Sequence, residues 1–139
     1  MSLKQNQPLV LAFDPGAVTG VAVVSAKKVI RTEALNAELV LQFARRMRRK
    51  YRGALVVIEE GPKWRSDSPL TRNVEGELKK LFPDAALVPP NRWKGHPAAQ
   101  CHEQLATTHQ RDAVRLARWF LAKRSNTNGE SQNARADAA

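Results

Sequence analysis

The chain has 139 residues, 42% of them hydrophobic, with one cysteine and a formal charge of +10. That length suits one domain with a real core and excludes two lobes closing on a substrate; the lone Cys101 excludes an intrachain disulfide, and no apolar run is long enough to span a bilayer. The charge selects a polyanionic partner, nucleic acid first and an anionic membrane surface second.

Residues 1–7 are polar and read as a flexible N-terminus without the h-region of a signal peptide, so a cytoplasmic protein is expected. A first strand is predicted from Pro8 to Asp14 and a second from Gly20 to Ala26, joined by Pro15-Gly16 and Thr19-Gly20 as a hairpin. A third, weaker strand covers Lys28 to Glu33, so the chain opens as an antiparallel meander. Asp14 therefore ends a buried apolar strand, where a carboxylate is costly unless a loop, a cation or a metal compensates it. From this stretch alone, capping the turn and serving a site are equally open roles.

Between Ala37 and Tyr51 the apolar residues Val40, Phe43, Ala44 and Met47 recur at helical spacing. The other faces carry Arg45, Arg46, Arg48, Arg49 and Lys50, followed by Arg52, which is six cations in eight positions. A solvated face and a polyanion-binding face are both compatible with such a run. Ala54 to Ile58 is a continuous apolar strand that ends on Glu59-Glu60-Gly61, a second acid at a strand end. If this strand runs parallel to the first, both acids emerge at one sheet edge.

The loop 61–68 holds Lys63-Trp64-Arg65, suited either to base stacking or to folding the indole onto the core. Ser68-Pro69 opens a helix to Phe82 with Leu70, Val74, Leu78 and Leu81 as its stripe; a short strand, Ala85 to Val88, follows. Pro89-Pro90-Asn91-Arg92-Trp93-Lys94 leaves that strand, and a short helical turn is expected between Ala98 and Leu105.

The last helix is predicted from Thr107 to Lys123, with Ala113, Val114, Ala117, Phe120 and Leu121 facing the sheet and Arg111, Arg115 and Arg118 on a solvent arc. His109 and Asp112 lie on the border between these arcs and can reach one point above the sheet edge. The domain is thus 8–123, and residues 124–139 read as a disordered C-terminal tail of zero net charge. Three carboxylates (Asp14, Glu59, Asp112) and His109 gathered at one edge would repel unless cations were bound, and oxygen-rich ligands favour Mg²⁺ or Mn²⁺. A basic protein holding two such ions about 4 Å apart suits a phosphodiester substrate, with Lys94 neutralising the phosphate or protonating the leaving group.

Phe13-Asp14-Pro-Gly-Ala-Val-Thr-Gly20, Val57-Ile-Glu59 and His109-Gln-Arg-Asp112-Ala-Val-Arg-Leu-Ala117 together resemble the motifs of RuvC-like Holliday junction resolvases of the RNase H-like superfamily, over residues 8–122. The resemblance implies an α/β, RNase H-like fold: a mixed central sheet, three antiparallel strands then parallel ones, with helices on both faces. It further implies a homodimer that resolves four-way DNA junctions by paired nicks, with two Mg²⁺ or Mn²⁺ ions per site. Asp14, Glu59 and Asp112 take the places of the family acids, His109 stands where relatives carry an aspartate or a histidine, and Lys94 resembles the family lysine. Candidate nucleic-acid contacts are Lys63, Trp64, Arg65, Arg72, Lys79, Arg92, Arg111 and Arg115. The rival functions are an RNase H-like nuclease on other branched DNA or RNA and a catalytically silent binding module of the same fold.

Overall fold

A computed structural model describes residues 8–61 and 69–138 of the chain, the last thirteen of them as backbone only. The expected flexible N-terminus and the Lys63-Trp64-Arg65 triplet lie outside the described residues.

Five strands form one mixed sheet: β1 (Val10–Asp14), β2 (Val18–Val24), β3 (Val29–Asn36), β4 (Leu55–Glu59) and β5 (Ala86–Val88), in the order β3-β2-β1-β4-β5. β1 pairs antiparallel with β2, and β2 antiparallel with β3; β1–β4 and β4–β5 are parallel. The helices are α1 (Ala37–Lys50), α2 (Pro69–Leu81), the four-residue α3 (Pro90–Trp93) and α4 (Thr108–Ala138).

Side-chain alternation along the strands divides the core in two. Val10 and Ala12 of β1, with Ala22, Val24 and Val57, face Trp93 and the Ala113, Val114, Leu116 and Ala117 stripe of α4. Leu11 and Phe13, with Val21, Val23 and Ile58, face Val40, Phe43, Ala44 and Met47 of α1 and Val74 and Leu78 of α2. Helices therefore cover both faces, and β1 at the centre is buried from Val10 to Phe13. Asp14 is the first residue along β1 with access to water.

Three expectations are corrected. β3 lies later than Lys28 to Glu33, because its far half pairs Leu35 with Thr19 and Asn36 with Val18. The segment 98–105 forms no helix; instead the guanidiniums of Arg115 and Arg118 donate to the carbonyls of Ala99 and Gln100, which satisfies its backbone by side chains. The last helix runs to Ala138 rather than ending at Lys123; no proline interrupts it, although residues 125–133 carry Gly129 and several weak helix formers.

No helix among the described residues is long and apolar enough to cross a membrane.

Candidate active site

β1 and β4 are adjacent and parallel, with Phe13 opposite Ile58, so Asp14 and Glu59 leave the sheet side by side at the same edge. The buried Thr19 closes the loop after Asp14, its hydroxyl donating to the Gly16 carbonyl and accepting from the Gly16 N–H, both at 3.4 Å. Glu59 is only 8% exposed, which makes it a charged group held against the core.

The Asp14 carboxyl hydrogen-bonds Glu59. Burial pushes the Asp14 carboxyl up to about 9, and its hydrogen bond to Glu59, the negative charge of Glu59 and that of Asp112 push the same way; Lys94 opposes them.

Asp14, Glu59 and Lys94 line one polar depression of about 100 Å³, together with Pro15, Gly61, Pro90 and two residues of α2, Thr71 and Glu75. Lys94 Nζ lies 3.8 Å from Glu59 Oε1 and its side chain is half exposed, close enough to share the charge and free enough to meet a ligand. Glu75 accepts the Gly61 N–H at 3.0 Å, and Lys79 bridges Glu60 at 2.7 Å and Glu75 at 3.3 Å. These bonds tie α2 to the end of β4 and fix the far wall of the depression. They also engage the Lys79 ammonium within the protein, and its hydrogen bond to Glu60 raises its pKa.

α4 brings up the third acid. Asp112 accepts from Arg115 Nη1 at 3.0 Å, and it lines a neighbouring depression of about 340 Å³ with His102, Arg111 and Arg115. The approach of α4 depends on Gly20, which pairs with Asp14 across the hairpin. A Cβ on Gly20 would lie 1.9 Å from the His109 carbonyl oxygen, so the first turn of α4 rests directly on the β2 backbone. The His109 backbone thus fills the space beside Gly20.

His109 itself is exposed at the start of α4, and its side chain makes no hydrogen bond or ion pair among the described residues. Of the expected site residues, then, Asp14, Glu59 and Lys94 converge, Asp112 acts on Asp14 through its charge, and His109 is near by its backbone alone. Among the described residues, no three His, Cys, Asp or Glu side chains converge closely enough to hold an ion by themselves. The donor set nevertheless fits Mg²⁺ or Mn²⁺, which take one or two carboxylates and complete their shell with water and substrate oxygens.

Trp93 is a residue that the sequence pattern did not single out. It is fully buried beneath the site, and both Lys94 and Arg115 stack on its ring, at 5.5 and 5.3 Å from the centroid. Each of these cations faces one of the acids, so a single indole orients both. Of the remaining candidate contacts, Arg92 lies over the Trp119 ring at 5.9 Å, while Arg111 and Arg72 are exposed on α4 and α2.

No protein-family model matches the chain, and no curated protein matches it.

Proposed function

We propose that this chain is a divalent-metal-dependent endonuclease of RNase H-like fold that nicks branched DNA, with four-way junctions as its substrate and a homodimer as its working form. The observation that carries the reading is the Asp14–Glu59 pair at the ends of adjacent parallel strands, a buried double acid in a chain of charge +10. The strand order β3-β2-β1-β4-β5, antiparallel and then parallel, supports the RNase H-like assignment that the motifs imply.

Asp14 and Glu59, with Asp112 behind them, would hold Mg²⁺ or Mn²⁺. When bound, the ions supply an activated water and stabilise the charge of the departing oxygen. The chain's own groups do the rest. Lys94, tethered loosely to Glu59, holds a phosphate oxygen at the depression or delivers a proton to the leaving oxygen. Arg111 and Arg92 hold flanking phosphates, and His109 stands at the rim as an additional ligand or proton acceptor.

The substrate class is tested by comparing cleavage of a four-way junction, a three-way fork and linear duplex at matched salt in Mg²⁺, because a basic protein binds all three non-specifically. Preferential cutting of the junction is expected. Equal cutting of duplex would overturn the resolvase assignment, and binding without any cutting would favour the silent module.

A further inference from the structure

The cation run of α1 has no place in the site just described. Arg45, Arg46, Arg48, Arg49, Lys50 and Arg52 are all exposed. Elsewhere in the fold, basic side chains answer acids: Arg31 meets Glu33, Lys80 meets Glu77 and Arg118 meets Glu103. Among the described residues none of the six makes an ion pair. Their contacts are a hydrogen bond from Arg48 to the Leu81 carbonyl at 3.1 Å and ring contacts of Arg46 with Phe43 and Lys50 with Tyr51. Asp84 lines a depression with Arg48 without pairing with it. The C-terminal end of a helix offers only about half a negative charge, too little for six cations.

The topology places this run far from the acids. β3 ends at Asn36 opposite Val18, at the acid edge of the sheet, so α1 starts there. β4 begins at Leu55 opposite Val10, at the other edge, so α1 must end there. The β2–β3 turn, with exposed Lys27 and Lys28, lies at the same far edge. The acids and the cations thus occupy opposite ends of strands about 15 Å long.

We propose that this far end is a second nucleic-acid surface, which holds the phosphate backbone of a duplex arm leading away from the cleaved bond. The inference rests on the nuclease reading for its ligand class. Charge density supports it: eight residues at helical rise span about 12 Å, over which duplex DNA presents about seven phosphate charges. An anionic membrane fits less well. A helix lying in a membrane inserts its apolar face, and that face of α1 is buried against the sheet through Val40, Phe43, Ala44 and Met47.

The test uses the full chain and two four-way DNA junctions, with arms of about 4 base pairs, cross-linked at their ends, and of about 20 base pairs; at about 3.4 Å per base pair the shorter arm ends about 14 Å out and stops short of the far end. Affinity is measured by fluorescence anisotropy against NaCl for wild type, for R45Q/R46Q/R49Q/R52Q, and for the matching Arg→Lys variant. On the long-armed junction the Gln variant should bind at least about tenfold more weakly, with a log–log salt slope shallower by about 3. The short-armed junction should change by less than about twofold, and the Lys variant should behave as wild type. If the quadruple Gln variant does not fold by circular dichroism, R45Q/R49Q is used, with about half the change in slope. An unchanged slope, or equal losses on both junctions, would overturn this surface and leave the nuclease reading standing. So would loss of binding to phosphatidylserine vesicles with DNA affinity intact. Failure of the wild-type protein to bind either junction would overturn the nuclease reading as well.

Discussion

Gly20→Ala is expected to be among the most damaging single-methyl changes in the chain, although glycine in a strand is ordinarily a weakness. The new Cβ would sit 1.9 Å from the His109 carbonyl oxygen and 2.5 Å from its carbon, against the 3.0 Å that a real Cβ requires. The first turn of α4 must therefore retreat by at least 1.1 Å, the difference between 3.0 and 1.9. That helix carries Ala113, Val114, Leu116 and Ala117 into Val10, Ala12 and Ala22, and a gap of that size forfeits a quarter to a half of each dispersion contact. Overpacking of this kind costs about 3 kcal/mol. With an unfolding entropy of about 2.1 cal/mol/K per residue, the melting temperature should fall by roughly 10 °C. The control is Gly76→Ala inside α2, where a Cβ meets nothing within 4 Å. The same methyl should there add about 0.5–1 kcal/mol through helix propensity. Thermal melts of both variants decide the matter: a Gly20→Ala protein as stable as wild type, or equal losses from both substitutions, would refute the packing of α4 on β2.

The raised pKa of Asp14 gives a signed dependence on pH. The folded-state pKa of Asp14 lies above its unfolded value of 3.8, so its contribution is fully present below about 4 and is lost as pH rises toward 9. In the absence of divalent ions, Asp14→Asn should therefore gain stability over wild type between pH 5 and pH 8, by roughly 1–3 kcal/mol once solvent access and Lys94 are allowed for. Urea melts in EDTA at the two pH values read this directly, and a stability difference between variant and wild type that stays the same from pH 5 to pH 8 would contradict it. Added Mg²⁺ should raise the melting temperature of wild type but not of the Asn variant. Glu103 behaves in the opposite sense. Hydrogen bonding to Arg118 holds it at about 2, so its contribution is present above pH 4.5 and disappears between 4.5 and 2. The pair is partly exposed and worth about 1 kcal/mol at most, so Glu103→Gln should flatten the acid limb of the stability profile by that amount. An unaltered acid limb would show the pair to be inert.

Much of the scaffold can be seen in the residues themselves. The unbroken apolar run ending on Asp14 and the one ending on Glu59 mark two buried strands whose charged ends must find partners. The Val40-Phe43-Ala44-Met47 and Val74-Leu78 stripes mark the helices that cover one face. The features that escape are those decided by contacts distant in sequence. β3 is displaced because Arg31, Thr32, Glu33 and Ala34 do not alternate in polarity, so only pairing with β2 sets the register. Gly20 looks like a turn glycine, yet the space beside it is claimed by His109 from the far end of the chain. Thr71, Glu75 and Lys79 follow one another at four-residue spacing along α2, beside the Val74 and Leu78 stripe. That spacing marks a polar stripe, but only the fold shows that it faces Gly61 and the acid pair. Trp93 is an ordinary apolar position in sequence, and its ring becomes informative once Lys94 and Arg115 are seen stacked on it.

Whether Asp14 and its neighbours serve phosphodiester cleavage is measured most directly by product formation from a four-way junction in Mg²⁺ by wild type and Asp14→Asn, with binding followed in parallel. Wild type should produce paired nicks that EDTA abolishes, while the Asn variant should bind the junction within about twofold of wild type and cut it at less than a thousandth of the rate. Full cleavage by Asp14→Asn, or cleavage by wild type that persists in EDTA, would contradict the account.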